Sequence, residues 1–212
     1  MYPRTQVSNT GKKVDDKSSH VPGFEKSINI VCFLGEPPKG HEEFKLMIVG
    51  LNTCRLAHAL RENTIIREDL IKELWNNPDA KKTNIVIRST ISNKEIHITE
   101  QTIKDVLLFG DASDEAVEYS REKIIPVLER MSYEGTYPPM TKKLLHPYWI
   151  FLAHVYLVCI SGVVALVENW NFNYSKLFFD DMLVNVKTIN KKYRWKFPMF
   201  LQMILDAKYP SL

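Results

Sequence analysis

Residues 147–167, PYWIFLAHVYLVCISGVVALV, carry no formal charge over 21 consecutive positions, and their reading decides the fold. As one helix the run would be ~31 Å long at ~1.5 Å per residue, enough to cross a hydrocarbon core of ~30 Å. Three features argue against a single span. His154 lies near the middle, Pro147 stands at the start, and Ser161-Gly162 reads as a helix end followed by a glycine just past it. This divides the run into a buried helix over 147–161 and a short apolar piece over 163–167. A helix apolar on every side sits either centrally in a protein core or in lipid. The breaks favour the core, so a soluble domain is expected, with a membrane or trafficking component as the less favoured alternative.

Outward from this run, helical periodicity dominates. Phe44, Met47, Ile48, Leu51, Leu56 and Leu60 recur at three- and four-residue spacing and predict a helix over 41–60. A second is expected over 67–75 (Leu70, Ile71, Leu74, Trp75), stopped by Asn76-Asn77-Pro78. The period then changes to two. Ile85-Val86-Ile87 and Glu95-Ile96-His97-Ile98 flank Ser92-Asn93-Lys94, which predicts a small β-hairpin. Thr99 is placed to cap a helix over 100–108, and Ser113 to cap one running to Met131, in which Pro126 implies a kink or two shorter helices. Ser175 is placed to cap a helix over 176–186, and Pro198 opens a last helix from Phe197. The expected fold class is mainly α: a single helical domain with one small β-hairpin.

Residues 1–27 are polar, rich in Ser, Lys and Asp, and poor in large apolar groups, so they are expected to form a disordered tail. The folded domain then covers 28–212. It begins with the apolar run Ile28 to Leu34, which the Pro- and Gly-rich loop 35–40 ends. The chain has 212 residues, 45% hydrophobic and 25% charged, which suits one globular domain and excludes collagen-like or coiled-coil chains. A net charge of +3 does not by itself imply a polyanionic partner. Three widely spaced cysteines, Cys32, Cys54 and Cys159, exclude a disulfide scaffold and point to a reducing compartment, the cytoplasm or nucleus. No apolar leader opens the chain, so the sequon Asn173-Tyr174-Ser175 is expected to be a chance match.

The search for chemistry returns little. There is no Gly-rich phosphate loop, CxxC pair, HExxH or GxSxG, and eight glycines are few for a nucleotide cradle. Cys54 and His58 are four apart on the expected helix, but a structural zinc site needs four ligands and no second pair stands at suitable spacing. His154 and Cys159 point to different helix faces. Asp180 and Asp181 diverge by about 100° on a helix, so paired-carboxylate chemistry is not expected; Asp180 is expected to pair with Lys176. No catalytic residue, metal ligand or cofactor is assigned. One segment does suggest binding: Lys187, Lys191, Lys192, Tyr193, Arg194, Trp195 and Lys196 interleave five cations with two aromatics and no acid. Phosphate charge and base stacking are what a single-strand nucleic-acid surface uses. The competing reading is a solvated connector whose aromatics tuck inward, and the near-neutral remainder of the chain favours it.

Several phrases, read in order, carry a resemblance: Leu74-Trp75; Ile98-Thr99-Glu100-Gln101-Thr102-Ile103; Glu129-Arg130-Met131-Ser132-Tyr133-Glu134-Gly135; Pro147-Tyr148-Trp149-Ile150-Phe151-Leu152-Ala153-His154; Phe172-Asn173-Tyr174-Ser175-Lys176-Leu177-Phe178-Phe179-Asp180; and Phe197-Pro198-Met199-Phe200-Leu201-Gln202. Together they resemble an uncharacterised family of plant transposon proteins, found beside or within retrotransposon polyproteins. The resemblance implies a transposon-derived, non-enzymatic structural or interaction domain, with a protein or nucleic acid of a retroelement as partner. It supplies no catalytic residues. It also implies that the apolar run is buried, because relatives carry polar or charged residues at the positions of Ile150 and 163–165. Some relatives have been labelled synaptobrevin- or longin-like, but this chain has no SNARE-type heptad array.

Overall fold

A computed structural model of the chain describes residues 42, 45–62, 64–76, 78, 85–135, 144–145, 159–187 and 196–212. Within these, eight helices and one two-stranded sheet follow in the order α1 (Lys45–Leu51), α2 (Ala57–Arg61), α3 (Glu68–Asn76), β1 (Ile87–Ile91), β2 (Lys94–Ile98), α4 (Glu100–Leu107), α5 (Arg121–Arg130), α6 (Ile160–Val167), α7 (Tyr174–Lys187) and α8 (Pro198–Lys208). The expected mainly α fold with one small hairpin is thus what the chain adopts. The tail 1–27 and the apolar run 28–34 lie outside the described residues.

The uncharged run is not one helix. Cys159 stands extended (φ −140°, ψ 156°) and caps α6, its Sγ accepting the Gly162 N–H at 3.2 Å. Ser161-Gly162 therefore opens a helix where the sequence suggested that one ends, and 163–167 belongs to that helix. The reason is local: the N–H of the third helical position has no acceptor within the helix, and the cysteine sulfur just before it supplies one. Residues 161–165 are buried. No helix among the described residues is long and apolar enough to cross a membrane. Positions 147–158, His154 included, lie outside them.

The helix expected over 41–60 is two helices. Between them, side chains take the carbonyls that end α1: Thr53 Oγ1 donates to Gly50 O (2.9 Å) and Cys54 Sγ to Leu51 O (3.1 Å). Arg61 closes the turn by donating to the Asn52 side-chain oxygen at 2.9 Å. Local side-chain bonds of this kind compete with helix propagation. The hairpin turns through Ser92 (φ 48°) and Asn93 (φ 63°), both left-handed, as a two-residue primed turn requires. Its register pairs Ile87 with Ile98 and Ile91 with Lys94, which sends Ile87, Ile91, Ile96 and Ile98 inward. Ser89 Oγ ties it to α3 by donating to Leu74 O at 2.7 Å. On the outer side of β2, the Tyr209 hydroxyl accepts the His97 N–H at 2.9 Å and donates to His97 O at 3.3 Å.

Thr99 caps α4 as expected, its hydroxyl accepting the Thr102 N–H at 3.0 Å. The expected helix from Ser113 begins only at Arg121, with Pro126 inside it. Residues before it form a turn (Glu115 N–H to Ala112 O, 3.2 Å) and are then held from outside: Asn173 N–H donates to Ala116 O (2.9 Å) and Tyr119 N–H to Ser161 Oγ (3.3 Å). Ser175 is not the cap of α7. Asn173 Oδ1 accepts the Lys176 N–H at 2.8 Å, and Ser175 is the second residue of the helix, engaged by buried Asp111. Pro198 opens α8, as its missing N–H permits, behind left-handed Phe197.

α4 packs on α7 and α8, α3 on β1 and α8, and α5 on α6. At the centre Phe178 meets Phe109 (5.4 Å between ring centres), Phe197 (5.0 Å) and Phe200 (5.1 Å), the last two edge to face. Buried aromatics in such arrangements contribute about 1 kcal/mol per pair beyond their area. The series continues from Phe109 to Tyr174 (6.2 Å) and Phe172 (4.8 Å from Tyr174). From there it leaves the core: Phe172 meets Tyr119 at 6.1 Å, and Tyr119 meets Trp170 at 4.9 Å.

Candidate functional site

The polar groups that sequence reading weighed for chemistry are occupied by the fold. Cys54 lies in the turn between α1 and α2, so it does not share a helix face with His58. Burial pushes its thiol above the ordinary range, away from the thiolate that reacts. His58 Nδ1 faces Glu62 at 3.8 Å. Asp180 pairs with Lys176 at 2.9 Å as expected, and Asp181 points elsewhere, to Lys196. Burial also holds the Tyr174 phenol protonated far above its usual range. Among the described residues, no three His, Cys, Asp or Glu side chains are grouped to hold a metal ion.

Of the basic-aromatic segment, Lys187 and Lys196 are described, while Lys191, Lys192, Tyr193, Arg194 and Trp195 lie outside the described residues. Lys187 is exposed at the end of α7. Lys196 is not a free cation: its Nζ lies 2.5 Å from Asp181 Oδ2, with both side chains largely buried. The structure thus spends one of the segment's five cations on joining α7 to the start of α8.

A different constellation forms where the aromatic series reaches the surface. Tyr119 and Trp170 meet edge to face at 73°, and the ammonium of Lys123 lies 4.2 Å from the centre of each ring. The walls are held from behind. Trp170 N–H donates to Ala165 O (2.9 Å), and the Tyr119 hydroxyl donates to the Asn171 carbonyl. Arg55 Nη1 reaches both oxygens of Glu115 (3.1 and 2.9 Å), and its Nη2 donates to Asn171 Oδ1 at 2.7 Å. One half-buried guanidinium thus joins the two segments through two different nitrogens, which fixes orientation as well as charge. Burial, and then the nearby Glu115 charge, raise the Tyr119 phenol above its usual value, so it stays a hydrogen-bond donor. These groups line an open concavity of about 610 Å³ whose rim also carries Asp114.

Asn169 belongs to a second concavity as well, of about 420 Å³, lined by Leu46, Met47, Leu51, Leu166 and Val167. In this lining Leu46 is 83% exposed, and Val49, three positions on in α1, is 55% exposed. Apolar side chains so exposed and so close together are costly in water and mark surfaces that bind. The sequence did hold a signal for this site. Asn169-Trp170-Asn171-Phe172-Asn173-Tyr174 alternates asparagine with aromatic, the pattern of an extended segment with all its rings on one side. Its partners Tyr119 and Lys123 are about fifty positions earlier, and nothing local links them.

No protein-family model matches the chain, and no curated protein or solved structure matches it either.

Proposed function

We propose that the chain is a non-enzymatic interaction domain of transposon origin, binding a protein partner through the surface that runs from Leu46 and Val49 across Asn169 to Trp170 and Tyr119. One observation carries the reading: the two concavities share Asn169 and together offer exposed aliphatic side chains at one end and an aromatic pair braced by an arginine at the other. Binding energy in protein interfaces concentrates on Trp, Tyr and Arg anchors surrounded by apolar contacts. The transposon origin is supported by the phrases from Leu74-Trp75 to Phe197–Gln202, and the three widely spaced cysteines support the cytoplasm or nucleus as its compartment.

Two features favour binding over catalysis and over nucleic acid. Burial holds the Cys54 thiol and the Tyr174 phenol in their protonated forms, so neither is an activated nucleophile among the described residues. The carboxylates of Asp114 and Glu115 on the rim, and the loss of Lys196 to Asp181, make a poor phosphate surface.

Affinity capture tests the reading, with the wild-type chain compared against the double variant Val49→Asp, Val167→Asp. Both positions are exposed, so the fold tolerates the change. The expected result is a defined set of retroelement or host proteins held by wild type and lost by the variant. Identical captures by both would overturn it. A mobility shift of single-stranded RNA that disappears on changing Lys191, Lys192 and Arg194 to Ser would instead support the nucleic-acid alternative.

A further inference from the structure

The aromatic corner already holds a cation. Lys123 reaches from the first turn of α5 to place its ammonium equidistant from two ring faces that stand nearly perpendicular, 4.2 Å from each. Two such walls make a partial cage, and the attraction of a ring quadrupole for a cation is strongest for tryptophan. The cage is rigid, since its rings continue into the core through Phe172, while its occupant is exposed and can swing into water. The concavity of about 610 Å³ is also much larger than a lysine head.

We propose that the Tyr119–Trp170 corner is a binding site for a trimethylated lysine side chain of a partner protein, and that Lys123 occupies it in the free chain. The inference rests on the interaction-domain reading and names the partner's chemistry. Methylation keeps the charge of a lysine and strips its tightly held water, so a trimethylammonium enters an aromatic cage more readily than the ammonium of Lys123. Charge complementarity supports a cation: Asp114 lies on the rim, beside Glu115, whose own charge Arg55 answers. A protein-borne lysine is favoured over a free quaternary amine by the second concavity. Reached through Asn169, it accepts the apolar neighbours of that lysine along the same peptide.

The test is calorimetric titration of the full chain with three probes: a peptide carrying trimethyllysine flanked by leucines, the same peptide with the neutral tert-butyl isostere, and tetramethylammonium. Lys123→Ala, at an exposed position, removes the resident cation without touching the walls. The trimethyllysine peptide is expected to bind this variant about tenfold tighter than wild type, and the isostere about tenfold more weakly. Trp170→Phe, which keeps a ring but the weaker face, is expected to fall between wild type and no binding. Equal binding of the charged and neutral peptides would overturn the cage, as would no tightening in Lys123→Ala. Tetramethylammonium binding as tightly as the peptide would overturn the protein-borne source. If the peptide fails to bind while Val49→Asp, Val167→Asp still loses the captured proteins, this inference falls and the interaction reading stands.

Discussion

The buried carboxylate of Asp111 grips Ser175 twice, accepting the backbone N–H at Oδ2 (2.6 Å) and the hydroxyl at Oδ1 (2.9 Å). The two residues are 64 positions apart, and the contact completes the N-terminus of α7 beside the cap supplied by Asn173. Helix N-termini favour negative charge and leave N–H groups without an internal acceptor. Asp111 meets both needs from another part of the chain, which ties the loop after α4 to the longest helix.

Asp111→Ala should therefore cost about 3 kcal/mol, because two charge-assisted bonds are lost and a buried N–H and hydroxyl are left without acceptors. Asp111→Asn keeps the shape and one acceptor and should cost about half as much. Denaturant midpoints measure both; a loss for Asp111→Ala below about 1 kcal/mol would show that water replaces the carboxylate.

Pro126 gives a prediction of opposite sign. It is exposed at the sixth position of α5, where it withholds the bond to Glu122 O and crowds that carbonyl. Pro126→Ala should stabilise the domain by about 2 kcal/mol, the helical gain of ~3 being reduced by the freer unfolded chain. Thermal unfolding reports it, and an unchanged midpoint would mean that α5 is distorted for other reasons.

Stability should fall on the alkaline side. Burial raises the Tyr174 phenol above its unfolded value of 10.0, so the unfolded chain releases a proton that the folded chain retains. The contribution is complete below about pH 10 and declines above it by about 1.4 kcal/mol per pH unit. Tyr174→Phe gives up only a 3.5 Å bond to Gly162 O and should remove most of this slope while changing neutral-pH stability little. An identical alkaline slope in the variant would place the effect elsewhere.

Arg55 and Glu115 should couple. A double-mutant cycle with Arg55→Ala and Glu115→Ala is expected to give about 1 kcal/mol, near the upper end for a partly exposed pair because Asn171 holds the guanidinium in place. Arg55→Lys should restore it only in part, since an ammonium has no second nitrogen to hold Asn171 while it meets Glu115. A coupling near zero would mean that the loop around Glu115 is set by its backbone bonds alone.

What the sequence disclosed follows from the range of the forces involved. The Ser92-Asn93 turn, the Thr99 cap, the Lys176–Asp180 pair and Pro198 at a helix start were all legible, because each depends on neighbours within four residues. Errors arose where a distant group decided the outcome. Asn173 and Ser175 are both plausible caps, and Asp111 settles which residue is drawn inside the helix. The stretch before Arg121 has helical composition, but Asn173 and Ser161 bond its backbone from outside and keep it from winding into a helix. Ser161-Gly162 was misread for a local reason: cysteine is seldom counted as a cap, so Cys159 gave no warning. The aromatic corner was invisible as a site because its two walls come together only when α6 packs on α5. The alternation in 169–174 marked one wall and said nothing of the other.

The phenol of Tyr209 over His97 has a consequence for how the molecule behaves in company. A two-stranded ribbon has two rims of unanswered amides, and on β2 a side chain rather than a strand answers the N–H and carbonyl of His97. Lys94, bonded to Ser211 O at 2.9 Å, adds a charge along the same rim. A copy of this protein arriving edge-on finds the template already stoppered, so growth into fibrils by strand addition is blocked at that rim by a single oxygen atom.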